Sequence, residues 1–208
     1  MKLLLFTSTM PSNAREKILF AALQLFTARS YNAISILEIV EHAHVSKTTF
    51  YQYFSSKEEL LTVLVEQLVD EILGEVHKAI EGERDFSYKG YAGIRRYIQL
   101  CTEQEAVAKF LLVSSVGVST QVEEVRRQAH IHFSQMIFQT AQRGMPPTVS
   151  DASIQVVSRA MVGAVNEVVI QQISDGEEKV EIDELARLLN RIVVGSFTKL
   201  VLSQQDDG

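Results

Sequence analysis

The densest run of side chains able to do chemistry is Ser46-Lys47-Thr48-Thr49-Phe50-Tyr51-Gln52-Tyr53, followed closely by Ser55-Ser56-Lys57. Hydroxyls, ammonium groups and phenols can exchange hydrogen bonds. The run contains no acid and no nucleophile–base pair, so its chemistry is recognition. A helix opening at Ser46 would hold Ser46, Lys47, Thr48 and Thr49 in its first turn, the part that comes nearest to base edges when a helix enters the DNA major groove. Lys47 can donate to guanine O6/N7 or to a phosphate. The two threonines can hydrogen-bond bases or set a methyl against thymine. The histidine pairs His42/His44 and His130/His132 are each two residues apart. That spacing separates them by about 200° around a helix, so neither pair converges on a metal. No Gly-rich phosphate loop, nucleophile elbow or HExxH occurs. No enzyme, no catalytic residue, no metal and no cofactor are therefore expected.

The elements that must position this run announce themselves by their starts. Asn13, Ser35, Ser56, Thr102 and Thr120 each precede a glutamate by three residues. Each pair matches the capping box, in which the side-chain oxygen accepts the N3 amide and the acid reaches back. Helices are predicted from about 14 to 29, 36 to 43, 46 to 53 and 56 to 80, the second and third joined by a turn at His44-Val45. Leu37 and Val40 are expected to face inward from the second, with Ile36 a further candidate. In the fourth, Leu61, Leu64, Leu68, Ile72, Val76 and Ile80 step by three and four. Further helices are predicted at about 92–101, 103–116, 121–143, 151–173 and 183–203, with Gly82–Gly93 a linker and Ser174–Lys179 a charged loop. The fold class is all-α, and residues 34–53 read as a helix-turn-helix.

Composition is consistent with this reading. A chain of 208 residues with three prolines and ten glycines can bury a substantial core with few interruptions. The single Cys101 excludes an internal disulfide framework and suits a reducing, cytoplasmic setting. Net charge is −6. Residues 1–60 carry six Lys/Arg against five Asp/Glu, and the acidic excess lies in the remainder. So nearly neutral a reading head neutralises few phosphates, and its affinity would require two heads. The apolar run of four at the N-terminus is short of the roughly 7–15 residues of a signal core. Residues 1–10 are expected to be a loose arm. No stretch of about 20 apolar residues suggests a membrane span.

Four segments together carry a family resemblance: Ala21-Ala22-Leu23-Gln24-Leu25-Phe26, Ile34 to Val40, Val45 to Phe54, and Ser56 to Leu61. They resemble the N-terminal domain of tetracycline-repressor (TetR) family transcriptional regulators over residues 11–71. The resemblance implies a helix-turn-helix DNA-binding domain at 11–71 and a helical effector-binding and dimerisation domain at 72–208. It implies Tyr51 and Tyr53 near the sugar-phosphate backbone, and Lys57 and Ser35 on phosphates. It also implies that the last two helices pair with a second copy through Met161, Val165, Leu189 and Ile192, and that the middle helices enclose an effector pocket. Tyr97, Cys101, Phe110, Phe133, Met136 and Asn166 are the candidate pocket residues. The expected partners are a palindromic double-stranded DNA operator, a small-molecule effector and a second copy of the chain, with no membrane. His44 and Thr48 stand where family members often carry glycine, so the operator preference is this chain's own. The rival reading is a helical protein-interaction adaptor without sequence-specific DNA binding.

Overall fold

The computed structural model describes residues 4–174 and 179–203. It is all-helical, with no strand among the described residues. The helices are α1 (Ala14–Ala28), α2 (Ile36–His42), α3 (Lys47–Tyr53), α4 (Lys57–Gly82), α5 (Lys89–Glu103), α6 (Glu105–Lys109), α7 (Thr120–Gln142), α8 (Asp151–Ile173) and α9 (Ile182–Ser203). A π-turn at Phe110–Ser114 replaces the second half of the predicted 103–116 helix. Of the charged loop predicted at Ser174–Lys179, residues 175–178 lie outside the described residues.

Local chemistry explains the starts. Asn13 accepts from the amides of Arg15 and Glu16. Ser35 and Glu38 form a complete capping box, and Ser46 accepts from Thr49 N. Two starts differ from prediction. Thr102 lies inside α5, where its hydroxyl donates to Ile98 O instead of capping. At α7 the cap is Ser119, whose Oγ accepts from Val122 N, while Glu123 takes the amide of Gly117.

The chain divides into two compact units, Met1–Glu71 with Gln104–Arg126, and Ile72–Glu103 with Arg127–Gly208. The core of the first unit is built from Ile18, Ala22, Phe26, Ile39, Phe50, Phe54, Leu60, Leu64 and Leu68, all essentially inaccessible to water. The residues from 104 to 126 join this unit through α6 and the π-turn, where Phe110 stacks on Phe26 with ring centroids 6.0 Å apart. Leu37, expected inside, is 56% exposed, and Ile39 takes the buried place beside Val40. The buried stripe of α2 therefore runs through Ile39 and Val40 to Ala43 at its C-cap, with Ile36 half-buried. The N-terminal arm is not loose in the part described. Leu4–Phe6 forms a 3₁₀ turn, Leu4 and Leu5 are buried, and their amides donate to the two carboxylate oxygens of Glu71 at 2.8 Å each.

In the second unit α5 packs on α8 and α9, and α8 on α9. Arg95 pairs with Asp183 at 2.6 Å, and Arg96 with Glu75 at 2.5 Å. Gly93 permits the close approach of α5 to the end of α4, since a Cβ there would stand 2.8 Å from Ile80 Cγ1. By length and composition α8 is apolar enough to cross a membrane, contrary to the sequence expectation, and little of it is buried within the chain.

Candidate nucleic-acid interface and ligand cavity

The helix-turn-helix of the first unit is assembled around a turn in which His44 adopts φ +53°, the left-handed region that costs a non-glycine residue energy but that histidine tolerates better than most. Val45 N donates to Val40 O across the turn at 3.0 Å. The turn lets α3 begin at once with Ser46 as its cap, and Phe50 anchors that helix in the core.

What remains outward on α3 is the set of residues with recognition chemistry. Lys47, Thr48, Tyr51, Gln52 and Tyr53 are exposed. Lys47/Tyr51 and Thr48/Gln52 are i,i+4 neighbours, so each pair shares a face. Gln52 was missed in the sequence reading, although the i+4 spacing from Thr48 would have found it. Thr49 is half-buried, with its Oγ1 2.8 Å from Ser46 Oγ. Its hydroxyl is thereby drawn into the cap.

Two candidate phosphate contacts are engaged within the protein. Ser35 Oγ accepts from Glu38 N and donates to Glu38 Oε2. The Ser35 amide and the Arg29 guanidinium hold the Glu38 carboxyl down to about 2. Lys57 Nζ donates to Tyr31 O at 3.0 Å and Ile34 O at 2.7 Å, and lies 4.1 Å from the Tyr31 ring centroid. Burial lowers its pKa. Lys57 therefore ties the start of α4 to the turn before α2, and the side chain lies along the protein.

The second unit contains a cavity of about 360 Å³, within the range of small-molecule sites. Its walls come from α4 (Val76, Ile80), α5 (Gly93, Ile94, Tyr97), α7 (Phe133, Met136, Ile137), α8 (Val162, Val165, Asn166) and α9 (Asn190, Val193, Phe197). Tyr97, Phe133, Met136 and Asn166, four of the six pocket residues expected from sequence, are brought together here. Tyr97 OH donates to Asn166 Oδ1 at 2.8 Å, and the Tyr97 and Phe133 rings stand 5.3 Å apart. The other two lie elsewhere. Phe110 belongs to the first unit, where it packs on Phe26. Cys101 is buried off the wall, and burial pushes its thiol up to about 12, which disfavours the thiolate. Asn190, which the sequence reading passed over, interrupts the apolar run of α9 at the wall.

On α8 and α9, two of the four residues expected at a dimer contact point inward. Val165 and Leu189 are buried within the chain, Met161 is half-buried and Ile192 is exposed. The outward stripe consists of Val156, Ala160, Gly163 and Ala164 on α8 with Leu188, Ile192 and Gly195 on α9. A Cβ on Gly163 or Gly195 would meet nothing within 4 Å.

A family model described as "Bacterial regulatory proteins, tetR family" matches residues 18–64. An uncharacterised HTH-type transcriptional regulator of Bacillus subtilis, YvdT, is 36% identical over 75 residues, 36% of this chain and 39% of that protein. The HTH-type transcriptional activator FasR of Mycolicibacterium smegmatis is 29% identical over 117 residues, 51% of this chain and 53% of that protein. The chain thus spans about two fifths to a half of the length of these relatives. Among solved structures, the transcriptional regulator FadR of Bacillus subtilis, in complex with stearoyl-CoA, superposes with a TM-score of 0.74 at 14% identity, covering 86% of this chain and 97% of that one. At that identity the likeness speaks for the fold.

Proposed function

We propose that the chain, whose residues 18–64 match the tetR family of bacterial regulatory proteins, is a helix-turn-helix transcriptional regulator and acts as a repressor. In this reading a homodimer holds a palindromic operator with α3 of each subunit in the major groove, and a small molecule in the cavity of the second unit releases it. The observation that carries the reading is the outward donor set of α3, namely Lys47, Thr48, Tyr51, Gln52 and Tyr53, mounted on a capped helix anchored by Phe50. A protein-interaction adaptor would have no use for such a set. Lys47 and Thr48 read bases, while Tyr51 and Tyr53 contact the backbone on either side.

The second copy is supported by the exposed stripe on α8 and α9. Exposed apolar residues recurring at helical spacing are what an interface would use, and the small residues among them let helices approach closely. A two-fold axis would match each patch with itself and would present two heads to a palindrome. Pairing with a second copy also accounts for the apolar character of α8 without a membrane. The effector role is supported by α4. Its residues Val76 and Ile80 line the cavity, and its first turn follows directly on α3. A ligand that binds better to the form with misplaced heads lowers operator affinity by the ratio of its two affinities. FadR was solved with an acyl-CoA, and an apolar effector suits this lining too.

The test is a gel-shift titration over a range of salt, with an operator found by genome-wide mapping. Lys47→Ala should weaken binding by about 1–3 kcal/mol and relax the preference at the base it reads, and Thr48→Ala should change the preferred sequence. The docking proposal fails if neither variant alters affinity or preference. FasR is named as an activator, so a reporter behind the operator reads the sign, and repression predicts expression when the protein is deleted.

A further inference from the structure

The direction in which α3 faces follows from its anchor. Phe50 is wholly inaccessible to water, so the opposite side of the helix is turned away from the protein. At about 100° per residue, Thr48 and Gln52 stand roughly 160° and 200° round the axis from Phe50. They form the outermost ridge. Tyr51 and Tyr53 fall on opposite flanks, about 100° and 60° from Phe50, and the Tyr51 ring is held edge-on to the Phe50 ring at 5.3 Å. Both ridge residues are exposed. Among the described residues no protein group hydrogen-bonds the Gln52 carboxamide, whereas the Thr49 hydroxyl is taken up by Ser46 Oγ at 2.8 Å.

Gln52 is the one carboxamide on α3, and it sets an acceptor and a donor side by side in one plane. In the major groove adenine shows the complement, an acceptor at N7 beside a donor at N6, so two parallel hydrogen bonds can form. Guanine shows two acceptors, which would leave the amide oxygen facing a lone pair. Cytosine and thymine each offer a single polar group. From this we propose that Gln52 is a base-specifying residue, reading adenine in an A·T pair of each half-site while Thr48 faces a base pair close by. Residues four apart on a helix are separated by about 6 Å along its axis, and base pairs by about 3.4 Å, so the two positions lie about two steps apart. The inference rests on the proposed docking of α3 in the major groove, and specifies the sequence that this docking selects.

The experiment selects bound duplexes from a randomised library with the full-length protein, and sequences them for the parent, Gln52→Ala, Gln52→Glu and Thr48→Ala. The parent should enrich sites with an A·T pair in each half-site. Gln52→Ala should lower the selectivity there by roughly 5–100-fold, the scale of one bidentate contact, and leave the other positions as they were. Gln52→Glu should move the preference at that position to cytosine, whose N4 amino group donates to a carboxylate. The position altered by Thr48→Ala should lie within about two base pairs of it. Parental melting temperatures in these variants would show that the changes are in reading and not in folding. Guanine preferred at the Gln52 position would overturn the inference. So would preferences untouched by Gln52→Ala, or a loss of affinity uniform over all sequences, which would make Gln52 a backbone contact. Each of those results leaves the docking of α3 standing. A parent protein that enriches no sequence would overturn the inference and the DNA-binding reading together.

Discussion

At the scale of single residues, Lys47 and Lys57 divide the labour that the sequence suggested for both. Lys47 is exposed on α3, whereas Lys57 closes a junction by donating to two carbonyls before α2. Lys57→Ala should leave those carbonyls short of a charged donor and cost about 1–2 kcal/mol of stability. That corresponds to a fall in melting temperature of roughly 2–8 °C for a chain of this size. Any loss of operator affinity should then follow the loss of structure, with the salt slope unchanged. A reduced salt slope at unchanged melting temperature would instead restore Lys57 as a phosphate contact. Glu38 gives a pH signature. Its folded pKa, about 2, lies below the ordinary 4.5 because the Ser35 amide and Arg29 favour the carboxylate. Its contribution is therefore complete above about pH 4.5 and disappears as pH falls towards 2. In thermal melts, Glu38→Gln should be less stable than the parent at pH 7, and the gap should close steadily below pH 4.5.

At the scale of elements, the caps explain why the head could be read from sequence at all. Ser35/Glu38 and Ser46/Thr49 are contacts across three residues, and a contact that local is written in the spacing. The N-terminal turn is the opposite case. Leu4 and Leu5 find their acceptor 67 and 66 residues away on α4, and nothing near Met10 marks that destination. The Glu71 carboxylate is buried and also accepts from Gln67 Nε2 at 3.0 Å. Glu71→Gln turns one acceptor into a donor facing backbone amides and should cost about 1–3 kcal/mol. Removal of residues 2–8 should cost a similar amount, and the two changes combined should cost little more than either alone. Fully additive losses in denaturant titrations would show that the turn and the carboxylate do not act as a unit.

At the scale of the whole molecule, the proposed second copy would supply a second head to one with few outward cations, and the exposed α8–α9 stripe is the surface proposed to recruit it. Ile192 is 48% exposed at the middle of that stripe. Ile192→Glu sets a charge against its own copy across a two-fold axis. It should give a monomer by sedimentation with undiminished helix content, and operator affinity should fall by roughly 10²–10⁴, the advantage that coupling two sites confers. A variant that remains dimeric would move the interface elsewhere. The periodicity of α8 and α9 marked both helices as partners. It left their inner and outer faces unassigned, because each carries apolar residues on both sides. Val165 and Leu189 could be told from Ile192 only once α5 was seen packed against them.

What the sequence by itself determined is what short-range chemistry encodes: eight of the nine helices among the described residues to within a few residues, most of their caps, and the donor-rich first turn of α3. The tertiary structure alone decided where long-range partners meet. It placed Phe110 on Phe26 in the head and brought Tyr97 to Asn166 across 69 residues of chain. It turned Lys57 onto backbone carbonyls and left the α8–α9 stripe outside. The physical reason is one of range. Capping and helical periodicity act within a turn or two. A cavity, a buried carboxylate and an exposed stripe are properties of several helices packed at once, and no single stretch of residues contains them.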